Sequence, residues 1–216
     1  MTLPVSTQLH SIAGRSIALA LPPDPEQGLH EALAAEAAGT GVCDPYWTVL
    51  WPAARQMAEL ILNHEWPARL RALELGCGVG LTGIAALLAG QDVTFSDHAP
   101  GAVQMAQANA DRNGFANVPG LVFEWQKPPA LQYEFLFASD VLYESAGHAP
   151  LLLTLRAMLS PGGTVWIGDP GRTIAAHFFE HARSQGWQVD LHDERGLPLG
   201  DDQSMRFRLI VMRLAG

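Results

Sequence analysis

Lysine is almost missing from this chain: Lys127 is the only one. Basic residues number 13 against 22 acids, so the formal net charge is −9. Binding to a nucleic-acid backbone depends on clustered Lys and Arg, so the charge argues against DNA and RNA as main partners. A solvated acidic face is the ordinary reading of such a charge, and it is compatible with a basic protein partner. Cysteine is scarce as well. Cys43 and Cys77 are far apart and suggest neither a disulfide framework nor a zinc site. No apolar run reaches the length of a membrane span; Ile84–Ala89 is bounded by Gly83 and Gly90. No Lys or Arg precedes Arg15, so no signal peptide is expected. These absences predict a cytoplasmic protein with no membrane partner.

What the chain does have is one organising stretch, Leu73-Glu74-Leu75-Gly76-Cys77-Gly78-Val79-Gly80-Leu81-Thr82-Gly83. Arg71–Leu75 reads as a strand and Leu81–Ala89 as a helix, with alternating glycines between them. Such a turn lets a ligand approach bare peptide, and the helix start offers unpaired N–H groups. The spacing is G-x-G-x-G. Leu81 stands where the dinucleotide fingerprint G-x-G-x-x-G has its last glycine. The alternative is a turn that only closes a strand–helix corner. The next predicted strand, Val93–Asp97, ends in an acid about 20 residues beyond the glycines, the distance at which a carboxylate reaches the ribose hydroxyls of a nucleoside. Asp97 also suits the N-cap of the helix near Pro100, and both roles are compatible. The glycine turn with Glu74 before it resembles motif I of the class I S-adenosylmethionine (SAM) methyltransferases.

At 216 residues and 48% hydrophobic, the chain suits one α/β domain. Val5–Leu21 alternates like a hairpin turning near Ala13-Gly14-Arg15. A helix is expected after Asp24-Pro25, with Leu29, Leu33 and Ala37 on one face. Residues 1–43 read as an N-terminal addition and residues 44–216 as the main domain. Pro52 opens a helix whose buried face is Ala53, Met57, Leu60 and Ile61. Tyr46, Trp47 and Trp51 crowd the loop before it, where aromatics ordinarily pack inward. Helices are expected over Ala99–Asn113 and Pro150–Leu159, the latter stopped by Pro161-Gly162-Gly163. Strands are expected at Leu121–Trp125, Thr164–Gly168, Trp187–Leu191 and Met205–Leu214. His177-Phe178-Phe179-Glu180-His181 matches H-x-x-E-H, a zinc-peptidase pattern. Without companion features the pattern reads as two solvated histidines flanking an inward Phe pair, and no metal is expected.

Phe135–Glu144 begins as a buried strand and ends in polar residues, placing Asp140 where ligands bind in open α/β sheets. Asp140-x-x-Tyr143 resembles the D-x-x-Y signature of the family 16 protein lysine methyltransferases, which implies that the carboxylate holds a lysine ammonium; it could also cap the following turn. Methyl transfer needs the neutral amine, and a nearby carboxylate opposes its deprotonation. Asp140 is therefore read as a positioning group, with the proton leaving to water or through Tyr143.

Asp140-x-x-Tyr143, the Trp51-Pro52 segment, Asp44-Pro45-Tyr46-Trp47 and Ile167-Gly168-Asp169-Pro170-Gly171-Arg172 resemble the family 16 protein lysine methyltransferases. The similarity is to the branch that acts on the electron-transfer flavoprotein β-subunit, and it runs from about Asp44 to Arg172. It implies a Rossmann-like seven-stranded α/β sheet of order 3-2-1-4-5-7-6, with strand 7 antiparallel and helices on both faces. It further implies SAM as cofactor and S-adenosylhomocysteine as product. Asp140 and Tyr143 are implied as catalytic residues. Cofactor contacts are implied for Trp51, Glu74, Gly76, Cys77, Gly78, Gly80, Asp97, His98, Trp125, Ala138 and Ser139. Trp51 would touch the cofactor's methionine or adenosine end, and Trp125 would lie beside adenine, although a plain core role for Trp125 is equally open. The implied partner is a protein substrate, the flavoprotein β-subunit, met by a monomer. A small-molecule amine, another protein such as a ribosomal one, or a SAM-binding module without catalysis are the alternatives.

Overall fold

The structure is a computed structural model that describes residues 5–22, 46–199 and 206–214. The helix expected after Asp24-Pro25, together with Cys43 and Met205, lies outside the described residues. Strands β1 (Ser6–Ile12) and β2 (Arg15–Leu21) form the expected antiparallel hairpin. A short 3-10 turn over Tyr46–Thr48 leads to α1 (Pro52–Asn63). Then come β3 (Arg71–Leu75), α2 (Leu81–Leu88), β4 (Asp92–Asp97), α3 (Pro100–Arg112), β5 (Gly120–Val122) and β6 (Tyr133–Ser139). The chain continues through α4 (His148–Met158), β7 (Leu159–Asp169), α5 (Ala175–Ser184), β8 (Trp187–His192) and β9 (Arg208–Leu214).

The main sheet has the order β5-β4-β3-β6-β7-β9-β8. Numbered within the sheet, that is 3-2-1-4-5-7-6, as expected. Only β9 runs antiparallel, pairing β7 on one side and β8 on the other. The chain leaves β3 toward one edge, then returns to β6 on its other side. That reversal opens a crevice at the carboxyl ends of β3 and β6, where α/β sheets bind ligands.

Alternation decides which face each strand residue meets. Phe135 and Phe137 join α1, α2, α3 and the hairpin in one core. Leu136 and Ala138 join α4 and α5 in the other. Two elements depart from expectation. Strand β5 stops at Val122, so Trp125 lies in a turn beyond it. Strand β7 begins directly after α4, where a loop was expected. Pairing shifts from Tyr133–Leu159 to Phe135–Thr164, so Pro161-Gly162-Gly163 form an irregularity inside the strand.

The hairpin is docked by polar contacts as well as by Ile12, Ile17 and Leu19. Asn109 Oδ1 accepts from the Ala20 N–H at 2.7 Å, and its Nδ2 donates to Val79 O at 2.9 Å. Asn113 pairs both backbone groups of Ala18, at 2.9 and 2.8 Å. Asn109 of α3 and Asn113 just beyond its end thus stand in for a neighbouring strand along β2, and Asn109 ties that strand to the glycine turn. Asn109→Ala leaves buried backbone groups without partners and is expected to cost about 2–3 kcal/mol, read by urea unfolding.

Candidate active site

The glycine turn has the conformation that its composition requires. Gly78 and Gly80 have φ of +48° and +85°, a region that disfavours other residues. Their surroundings differ. A side chain on Gly78 would begin 3.2 Å from Trp47 O, whereas one on Gly80 would begin 2.8 Å from Ala106 Cβ on α3. Gly76, Cys77 and Gly78 line the cleft, whereas Gly80 faces the neighbouring helix and does not line it. Cys77 donates its N–H to Ser96 O at 2.9 Å. Its thiol is buried and free, and burial, then the charges of Asp97 and Glu74, push its pKa well up.

Glu74 does not line the cleft either. It is buried beneath the first turn of α2, against Gly83, where any side chain would collide with its Oε2 and with the Phe95 ring. Burial raises its pKa well above the ordinary carboxylate range. The Gly83 amide and Thr82 hydroxyl offset part of that effect, and Asp97 adds to it. Ala138 is fully buried in the opposite core and points away from the cleft. Ser139, one residue on, lines it, with Oγ 3.4 Å from Thr82 Oγ1.

Asp97 ends β4 at the cleft wall. Its Oδ2 accepts from the Gly78 N–H at 3.2 Å and its Oδ1 from the Ala99 N–H at 3.0 Å. His98 Nδ1 lies 3.2 Å from the same Oδ1. A carboxylate has about four acceptor positions, so capacity for hydroxyl donors remains. The inner cleft holds about 100 Å³, and an adjoining pocket lined by Phe123, Glu124 and Trp125 holds about 360 Å³. His98, Trp125 and Tyr143 line both, so the two form one elongated site. Bare peptide at Gly78, a carboxylate at the strand end and an indole beyond it fit a nucleoside joined to an amino acid. These residues therefore suit SAM. A larger cavity of about 770 Å³ lies against β8, β9 and the end of α1, lined by Arg183, Arg195 and Arg213. It is lined by none of Gly76, Gly78, Asp97 and Asp140 and does not reach the crevice between β3 and β6, so the smaller cleft is the better candidate.

Asp140 stands at the end of β6 with φ of +63° and lines the cleft. Both of its oxygens are engaged. Oδ2 accepts from the Ala53 N–H at 2.7 Å, and Oδ1 lies 2.7 Å from Arg172 Nη1. Asp140 therefore caps α1, an element far away in sequence, and not the turn that follows it. Burial raises its pKa, while Arg172 and the Ala53 amide pull it back. Behind Arg172 lies Asp169, fully buried, whose Oδ2 accepts from the Gly171 and Arg172 N–H groups at 2.9 Å. Arg208 donates to the same oxygen at 2.7 Å and to Arg172 O at 2.6 Å. Two acids and two arginines form a charge-balanced cluster against the cleft. Sequence reasoning missed Arg208, because nothing local marks it.

Trp51, Tyr46 and Tyr143 line the cleft together with Asp140. Trp51 Nε1–H donates to Tyr46 O at 2.9 Å. Trp47 turns its ring over the start of α3, where a side chain on Gly101 would begin 2.9 Å from it. The H-x-x-E-H histidines lie on α5, with Phe178 and Phe179 both buried. Among the described residues no His, Cys, Asp or Glu group could hold a metal ion. Nor is any helix among them long and apolar enough to cross a membrane.

The sheet order and the cleft define the fold of the SAM-dependent methyltransferases. A solved relative of that fold is the TehB-like SAM-dependent methyltransferase of Corynebacterium glutamicum. Its TM-score is 0.61 at 18% identity, covering 88% of this chain and 98% of that one. A profile of the lysine methyltransferase family matches residues 36–185, and the chain belongs to that family. It is 33% identical over 141 residues to the electron transfer flavoprotein beta subunit lysine methyltransferase of Danio rerio, covering 64% of this chain and 54% of that protein. It is 30% identical over 152 residues to EEF1A lysine methyltransferase 3 of Mus musculus, covering 66% and 64%. The chain thus spans about half the length of the flavoprotein-type relatives it matches.

Two outcomes follow from the site geometry. Glu74 keeps its proton in the folded state at pH values where the unfolded chain has lost it. Its contribution to stability is therefore complete at low pH and falls as pH rises above the ordinary carboxylate range. Glu74→Gln should remove that fall, so the variant gains on the wild type as pH increases, measured by urea unfolding across pH. Asp140→Ala uncovers Arg172 and the Ala53 N–H, at a cost of about 3 kcal/mol. Asp140→Asn keeps an acceptor for Ala53 and should unfold at a midpoint between those of Asp140→Ala and the wild type.

Proposed function

We propose that this chain is a SAM-dependent protein-lysine N-methyltransferase whose leading acceptor is the electron-transfer flavoprotein β-subunit. The observation that carries this reading is the convergence of Gly78, Asp97, Trp125, Asp140 and Tyr143 on one cleft. Family membership and the flavoprotein-type relatives support the acceptor class. The catalytic unit is residues 44–216, working as a monomer. The setting that belongs to this reading is cytoplasmic.

The cofactor, when bound, would supply a methyl carbon on a cationic sulfonium, with S-adenosylhomocysteine as product. Bare peptide at Gly76 and Gly78 would receive its amino-acid end. Asp97 would accept from the ribose hydroxyls, with His98 beside it. Trp125 would offer a flat face to adenine. Asp140 holds α1, and so the wall bearing Trp51, against the end of β6. Alignment of the amine with the methyl carbon is positioning work, which supplies a large share of such rate enhancement.

The charge balance around Asp140 bears on the proton. A lone carboxylate would hold the proton on the incoming amine and raise its pKa. Arg172 cancels that field at 2.7 Å, so the amine sheds its proton to water more readily. Tyr143, half-exposed in the cleft lining, is the residue through which that proton would pass to water.

The test is transfer of isotope label from SAM to purified flavoprotein and, separately, to a whole-cell extract. A labelled β-subunit with the label mapped to lysine is the expected result. Label confined to another protein would keep the enzyme class and discard this acceptor. SAM binding without labelled protein would favour a small amine acceptor or a binding module.

A further inference from the structure

Three aromatic rings stand at the mouth of the cleft, and the reaction scheme above gives Tyr46 no role. Tyr46 and Trp51 have ring centroids 6.3 Å apart, and Tyr46 and Tyr143 6.1 Å apart. The rings are tilted by 40° and 37°, so they form an arc and not a stack. Tyr46 is 39% exposed and Tyr143 48% exposed, large values for aromatic side chains lining a pocket. The Tyr46 backbone is nevertheless fixed in place. Its carbonyl accepts from the Trp51 indole at 2.9 Å and from the Val49 N–H at 3.3 Å. The 3-10 turn thus anchors the backbone from which the ring lines the cleft.

The acids nearby do not offer what a bare ammonium would need. The inner cleft is lined by two, Asp97 and Asp140. Asp140 has both oxygens engaged by Ala53 and Arg172. Asp97 is bound by Gly78 and Ala99 at the opposite wall. The exposed acids Glu124 and Glu144 of the adjoining pocket add a field favourable to cations without fixing a position. Within the inner cleft a cation therefore meets ring faces and two acids that the protein already binds. Aromatic faces attract ammonium groups within about 6 Å of their centroids. They do so without using N–H donors, so methyl groups on the nitrogen are tolerated, and the weaker hydration of a methylated ammonium favours its transfer to the rings.

We infer that Tyr46, Trp51 and Tyr143 form an acceptor collar that receives a lysine side chain through its ring faces and holds it more tightly as its nitrogen gains methyl groups. Tyr46 is the specificity-determining member, and Trp51 buttresses it. The inference rests on the methyltransferase reading of the same cleft. It further implies that partly methylated lysine is retained at the site for another round.

The experiment titrates N-acetyl-lysine methylamide and its Nε-trimethyl derivative into the full chain, with and without S-adenosylhomocysteine, by calorimetry. The trimethyl compound should bind at least about threefold more tightly than the unmodified one. Tyr46→Ala and Tyr143→Ala should weaken it at least about fivefold, whereas Tyr46→Phe should retain it. S-adenosylhomocysteine affinity in each variant reports separately on fold and cofactor site. Failure of the wild type to bind S-adenosylhomocysteine would count against the methyltransferase reading, while the probe titrations without it still judge the collar. Equal binding of the trimethyl probe by wild type and Tyr46→Ala, preference for the unmodified probe, or no binding of either by the wild type overturns the collar.

Discussion

The contact on which the site depends is the 2.7 Å hydrogen bond from the Ala53 N–H to Asp140 Oδ2. Helix α1 begins with Trp51 as its capping residue and makes no side-chain capping bond of its own. Its first amides would be left unsatisfied, and its positive end would face the cleft. A carboxylate from the end of β6, 87 residues on, answers both needs. That one bond holds the segment bearing Tyr46, Trp47 and Trp51 over the glycine turn. Asp140 adopts a left-handed backbone to reach it. Aspartate tolerates that conformation better than most residues, and such strain is commonly found at functional sites.

The acid is held in turn from behind. Arg172 meets Asp140, Asp169 orders the backbone of the Arg172 loop, and Arg208 joins that loop to β9. Four buried or half-buried charges are tolerated because each has an opposite partner. The antiparallel β9 matters here. Its insertion between β7 and β8 brings Arg208 level with Asp169, the residue with which it pairs in the sheet. The last strand of the chain therefore helps to set the charge at a cleft built mainly by the first half of the sheet.

Packing around the glycine turn follows a similar logic. Gly78 makes room for Trp47, Gly80 for Ala106 and Gly83 for Glu74 and Phe95. The turn is thus both a surface for a ligand and a junction between helices, and only part of its composition serves the ligand. Asn109 extends the junction to the hairpin by bonding both Ala20 and Val79. Residues far from the cleft therefore stabilise the loop that forms its floor.

The sequence alone determined the alternation of strands and helices, the glycine turn and the strand-end acids Asp97 and Asp140, while the sheet order was implied by the family resemblance of its motifs. These are local properties: two-residue and 3.6-residue periodicities, turn chemistry and short motifs carry them. The tertiary structure alone decided which way each side chain was used. Glu74, Gly80 and Ala138 belong to the same strands and turn as their neighbours, yet they face Gly83, α3 and the far core. Strand β5 ended before Trp125, because a strand's length depends on its partner and not on its own aromatic content. Arg208 and Asn109 carried no local mark, since their partners lie 39 and 89 residues away. Contacts of that span exist only once distant elements have packed together, and no periodicity records them.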